Sequence, residues 1–111
     1  MLKKLFLTIA TTIICIFLQL ATHKNAEATF KLCIDLVEKC NSHSTYGLGL
    51  CFGYLEGIAD KGIDGVCMPE DTISNQLKVH FLKWSAKNPK TTLLKAPFCV
   101  TEAMLESFPC K

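Results

Sequence analysis

The chain has 111 residues, half of them hydrophobic, with 12 basic and 10 acidic side chains and a formal net charge of +2. All the basic side chains are lysines; with no arginine and no strong basic field, a nucleic-acid partner is a poor fit. Seven cysteines in so short a chain argue against a reducing compartment and for a small cross-linked domain.

Met1-Leu2-Lys3-Lys4 opens the chain, and residues 5–20 form an apolar run broken only by Thr8, Thr11, Thr12 and Gln19. A positive start followed by an apolar stretch and small residues describes a secretory leader. Ala26-Glu27-Ala28 supplies a small-x-small cleavage site, so the expected division is a signal peptide over residues 1–28 and one domain over 29–111. Ala21 offers a second cleavage site. The competing reading is an uncleaved anchor, although the run is at the short end for a membrane-spanning helix. Residues 12–14, before Cys15, do not resemble a lipoprotein processing box. Cleavage after Ala28 removes Lys3, Lys4, Lys24 and Glu27 and leaves no formal net charge. The expected setting is the periplasm, with no membrane partner once the leader is gone.

A domain of this size has a marginal core unless it is cross-linked. Its sequence shows helical spacing in four segments and no clean strand alternation, so the expected fold is all-α: a disulfide-stapled four-helix domain. The first helix spans residues 30–40, with Phe30, Cys33, Ile34, Val37 and Cys40 on one face. Residues 41–44 read as a loop. The second helix spans residues 46–61, with Phe52, Leu55 and Ala59 beside Cys51, Tyr54 and Ile58. Gly49, Gly53 and Gly57 recur on one side of it. A helix glycine costs roughly 0.5–1 kcal/mol relative to alanine, so Gly53 and Gly57 imply close approach of another backbone, in the same chain or in a second copy. Gly62 suits the cap that ends this helix.

The third helix begins after Pro69, capped by Asp71 or Thr72, and places Ile73, Leu77, Phe81 and Trp84 on one face. Asn88-Pro89 ends it. The fourth lies between Leu93 and Phe108, with Thr91 or Thr92 as cap. Pro97 is tolerated only near a first turn, so this helix starts close to Pro97 if residues 93–96 form a separate turn. Phe98, Leu105 and Phe108 share one of its sides.

Six cysteines lie beyond the leader: Cys33, Cys40, Cys51, Cys67, Cys99 and Cys110. Consecutive helices joined by short loops run antiparallel, which brings Cys40 to Cys51 at one end and Cys67 to Cys110 at the other. Cys33 and Cys99 remain, as a third bridge or as free core thiols. The chain-entropy relation assigns about 3 kcal/mol to the shorter loop and about 4 kcal/mol to the longer, comparable to the whole stability of a small domain.

Little here points to chemistry. His43 falls in a polar loop and His80 beside the Phe81 face. Thiols committed to bridges leave no activated nucleophile, and metal-ligand spacing is missing. No enzyme, metal or cofactor is expected. Glu56 and Asp60, at i and i+4, are an exposed face or an acidic stripe for a partner.

The stretch Cys51-Phe52-Gly53-Tyr54-Leu55-Glu56-Gly57-Ile58-Ala59-Asp60 resembles the C-x-G-Y-x-x-G-x-x-D helix of the type VI secretion amidase-immunity (Tai) family. Val66-Cys67-Met68-Pro69, Gln76-Leu77, Asn88-Pro89 and Phe108-Pro109-Cys110 are similar to further motifs of that family, in the same order across residues 40–110. The resemblance implies an all-helical periplasmic protein, often a homodimer, that binds and occludes a secreted cysteine-peptidase amidase. It implies that Cys40, Cys51, Cys67 and Cys110 are structural, that Cys33 and Cys99 are additional and fit a third bridge, and that a projecting loop enters the toxin's cleft. Pro97 departs from the family's alanine-rich fourth helix. Residues 41–47, 61–66 and 85–92 are the candidate contact loops. A helical binding or structural protein without a toxin partner is the alternative. A saposin-like lipid binder fits less well, since its paired early cysteines are missing.

Overall fold

The computed structural model describes residues 1–22 and 32–111, with the backbone alone for residues 20–22. The expected cleavage site after Ala28 and the core position given to Phe30 lie outside the described residues. Among the described residues there are five α-helices, α1 (Leu2–Thr22), α2 (Cys33–Cys40), α3 (Thr45–Lys61), α4 (Ser74–Lys87) and α5 (Ala96–Ser107), with a 3-10 turn at Pro89–Thr91. No strand occurs among the described residues; two isolated bridges join Leu32 to Lys95 and Val66 to Pro109.

Helix α1 is long and apolar enough to cross a membrane: residues Leu2–Gln19 have a mean hydropathy of 1.6. The threonines inside this run do not spoil it. Thr8, Thr11 and Thr12 return their hydroxyls to the carbonyls of Lys4, Leu7 and Thr8, at 2.8, 2.9 and 2.8 Å. Each polar group is satisfied within the helix, as an apolar medium requires.

Local chemistry sets the ends of the other helices. The Leu32 amide, just before α2, donates to the Asp35 carboxylate at 3.2 Å, and that acid also sits favourably in the first turn. Ser44 caps α3 by accepting from the Gly47 amide at 2.9 Å. Gly62, at φ +85°, ends that helix. Helix α4 starts later than the spacing predicts, because Gln76 reaches back to the Ile73 amide at 2.8 Å. The Thr72 hydroxyl is meanwhile committed to the Pro69 carbonyl at 2.7 Å, so neither Asp71 nor Thr72 is the cap, and Ile73 lies exposed ahead of the core. Asn88 closes α4 by donating its side-chain amide to the Trp84 carbonyl at 2.8 Å.

Helix α5 begins at Ala96 with Pro97 in its first turn, where a missing amide hydrogen removes no helical bond. No threonine caps it: Thr91 instead donates to the Asn88 carbonyl at 2.6 Å.

The core contains Leu36 from α2, Leu55 from α3, Leu77, Phe81 and Trp84 from α4, and Ala96, Val100, Ala103 and Met104 from α5. Cys33, Cys40, Cys51 and Cys99 are buried among them. Three disulfides are present: Cys33–Cys99, Cys40–Cys51 and Cys67–Cys110, with Cα separations of 6.1, 5.0 and 4.9 Å. Cys67 and Cys110 are exposed.

The first of these bridges rearranges two helix faces. An α-helix turns about 100° per residue, so burying Cys33 and Cys99 swings their neighbours Ile34 and Phe98 outward. Ile34 was expected on a face with Cys33, and Phe98 on a side with Leu105 and Phe108; both are exposed. The face of α5 that is buried carries Ala96, Cys99, Val100, Ala103 and Met104.

Candidate functional site

Among the described residues, no backbone approaches Gly53 or Gly57, where the glycine spacing led us to expect one. A Cβ placed at Gly49, Gly53 or Gly57 meets nothing within 4 Å. The close approach occurs instead at Gly47, where a Cβ would fall 2.6 Å from Cβ of Ser42. Ser42 is held there by its hydroxyl, 2.9 Å from that of Ser44 and accepting from the Ser44 amide at 3.1 Å. Gly47 therefore lets residues 41–44 fold back over the first turn of α3. The signal that would have found it is the serine pair facing it, rather than the four-residue glycine spacing.

Glu56 and Asp60 come together with a third acid that their spacing does not reveal. A cleft of about 440 Å³ is lined by Glu56, Ala59 and Asp60 of α3, Met68, Glu70 and Thr72 of the following segment, and Leu77 of α4. Ser74 donates its hydroxyl to Glu56 across this cleft. A smaller recess, about 230 Å³, adjoins it through Ala59 and Met68 and is lined further by Gly62, Ile63 and Val66. Carboxylates on the rim and apolar side chains on the floor suit a partner with a basic or amphipathic segment.

One wall of the cleft is an irregular segment, residues 62–73, fixed at its base. The Cys67 amide donates to the Phe108 carbonyl at 2.8 Å, and the Cys110 amide to the Gly65 carbonyl at 3.0 Å. The Cys67–Cys110 bridge closes the same junction. Gly65 adopts φ +83°, and a Cβ there would stand 3.3 Å from Leu105, so a side chain at this position is disfavoured twice over.

Neither His43 nor His80 lies in a catalytic arrangement, and His23 is outside the described residues. His43 is exposed in the loop before α3. His80 packs edge-on against Phe108, centroids 4.9 Å apart, and so ties α4 to the end of α5. The six cysteines of the domain are all in disulfides, and Cys15 belongs to α1. Among the described residues, no cluster of three or more His, Cys, Asp or Glu is placed to hold a metal. Burial raises the pKa of the Tyr54 phenol above 10.0, which keeps it protonated and gives no reactive group.

These features define a class: a small, disulfide-stapled, all-helical domain with an acidic cleft on its surface. The Rap1a immunity protein family matches residues 32–110, from the residue before α2 to the last cysteine. The chain belongs to that family, a type VI secretion immunity family, typically non-enzymatic and usually periplasmic. Membership implies a secreted toxin as partner. No curated protein and no solved structure matches the chain.

Proposed function

We propose that this is a periplasmic immunity protein that binds a type VI-secreted peptidoglycan amidase and blocks its active-site cleft. The observation that carries the reading is the family match over the whole of α2–α5. The amidase class rests on the Tai-like motifs of α3 and of the segments around Cys67, Gln76, Asn88 and Cys110. The leader over residues 1–28 delivers the domain at 29–111 to the compartment in which its disulfides persist.

The contact surface we assign is the acidic cleft with residues 61–66 and the rest of its pinned wall. A blocking element must be ordered before it binds, because ordering it afterwards subtracts from affinity. Residues 62–73 meet that condition through the Cys67–Cys110 bridge and the two backbone hydrogen bonds at their base. Of the loop at 85–92, Lys87 lines a smaller recess of about 110 Å³ with His80, Trp84 and Glu106.

A homodimer is part of the same proposal. Among the described residues nothing approaches Gly53 or Gly57, which supports a second copy lying along α3 as the source of the backbone those glycines would admit. Co-expression tests the functional reading: cells given the amidase in the periplasm survive when the full chain is present and the two proteins co-purify. Lysis despite expression of the oxidised protein would refute it.

A further inference from the structure

Charge is divided unevenly along the domain. Residues 56–71 carry Glu56, Asp60, Asp64, Glu70 and Asp71 against Lys61 alone. Residues 78–95 carry Lys78, Lys83, Lys87, Lys90 and Lys95 and no carboxylate. The acidic run surrounds the cleft. Tyr46 is exposed in α3, Ile73 just before α4 and Val79 in α4, whereas four exposed apolar residues lie where the basic run ends and α2 and α5 both begin: Ile34 at 42% exposure, Leu93 at 74%, Leu94 at 44% and Phe98 at 48%.

The fold joins these residues firmly. The Cys33 amide donates to the Leu94 carbonyl at 2.8 Å, and the Ile34 amide to the Thr92 carbonyl at 3.0 Å. Leu32 pairs with Lys95, and the Cys33–Cys99 bridge lies between Ile34 and Phe98 in the two helices. Ile34 and Phe98 are thus the exposed chain neighbours of the buried Cys33 and Cys99.

We propose that this pole, Ile34, Leu93, Leu94 and Phe98 flanked by Lys90 and Lys95, is a peripheral docking surface for an anionic lipid bilayer. Apolar side chains edged by lysines are what an anionic membrane interface recognises. As long as the leader is attached, position supports the same occupant. The pole is where the chain enters the domain, and residues 23–31 separate it from the apolar helix α1. At most roughly 3.5 Å per residue keeps the pole within about 30 Å of any membrane that α1 enters. Area argues against a second copy: four partly exposed side chains offer on the order of a few hundred Å², short of the roughly 800 Å² per partner in a stable interface. This surface goes beyond the immunity reading and lies apart from the cleft. It departs from the expectation that the domain has no membrane partner, which could not foresee Ile34 and Phe98 turned outward at one pole.

The test uses the full chain as recovered from the producing cell, with its N-terminus read by mass spectrometry. The probe is a set of vesicles of phosphatidylglycerol with phosphatidylethanolamine, compared with purely zwitterionic vesicles. In a Leu93→Trp variant, tryptophan emission shifts to the blue on anionic vesicles and is quenched by brominated lipid, whether or not α1 is still attached; Trp84 is buried and supplies a constant background. Leu93→Ser with Leu94→Ser lowers the vesicle-bound fraction of the processed domain about ten-fold without changing its melting profile, and added salt weakens binding. Emission at residue 93 that remains water-like on anionic vesicles overturns the proposal. So does a serine variant that leaves binding intact, or one that instead converts a dimer to a monomer or abolishes toxin binding while vesicle binding is absent throughout. Toxin inhibition by the serine variant is measured in parallel, so failure of this surface is distinguishable from failure of the immunity reading.

Discussion

The two poles of the domain are stapled differently. At the α2/α5 pole the Cys33–Cys99 bridge is buried in the core. At the cleft, the Cys67–Cys110 bridge is exposed and anchors an irregular segment rather than two helices. A buried bridge holds the helices together and fixes which face each turns inward. An exposed bridge at the base of a loop stiffens a surface that a partner can reach. The buried bridge serves the scaffold beneath one pole, and the exposed bridge stiffens the surface proposed for toxin recognition at the other.

Removing the bridges separates these roles. The Cys33–Cys99 loop closes over 66 residues of sequence separation and the Cys67–Cys110 loop over 43, so chain entropy alone assigns about 4 kcal/mol to each. Cys33→Ala with Cys99→Ala should cost at least that much in urea unfolding, since it also leaves a void in the core. Cys67→Ala with Cys110→Ala should lose a similar chain-entropy contribution but no core packing, and should also weaken toxin binding. Graded reduction followed by mass spectrometry sharpens the contrast: the exposed bridge opens first and the buried pair last. Simultaneous opening would mean that the poles do not differ.

A smaller effect compares two glycines of α3. Gly47→Ala forces Ser42 to move and should destabilise the protein by about 1–3 kcal/mol. Gly53→Ala meets open space in the single chain and should stabilise an isolated domain by about 0.5–1 kcal/mol. If light scattering finds a dimer, a larger side chain such as Gly53→Leu should dissociate it. A dimer that tolerates leucine there is built on another face.

The smallest effect expected is at alkaline pH. The Tyr54 phenol has its pKa raised by burial. Below about pH 10 both folded and unfolded states hold the proton, and this contribution to stability is fully present. As pH rises further the unfolded chain ionises first, so stability falls until the folded phenol also ionises. Tyr54→Phe should flatten that decline relative to the parent protein.

Much of the helical scaffold is legible along the chain because its determinants are local. Gly62 and Asn88-Pro89 mark helix ends, and Leu77, Phe81 and Trp84 repeat at helical spacing and are buried. Helix direction brings Cys40 near Cys51 and Cys67 near Cys110, and the structure joins those thiols. What is not legible depends on tertiary partners. Periodicity puts Ile34 on a face with Cys33 and Ile73 on a face with Leu77, Phe81 and Trp84, yet both are exposed. The cleft is half legible: Glu56 and Asp60 share a helix face, but Glu70 reaches them only through an irregular segment whose path is set by Gly65 and by contacts 40 residues away, such as that between Cys67 and Phe108.

The most direct test of the central claim, that a stapled domain plugs a toxin's cleft, is peptidoglycan cleavage by the secreted amidase titrated with the oxidised protein. The account predicts that cleavage stops near stoichiometric addition and returns when Cys67–Cys110 alone is reduced. Cleavage unaffected by excess oxidised protein would contradict it.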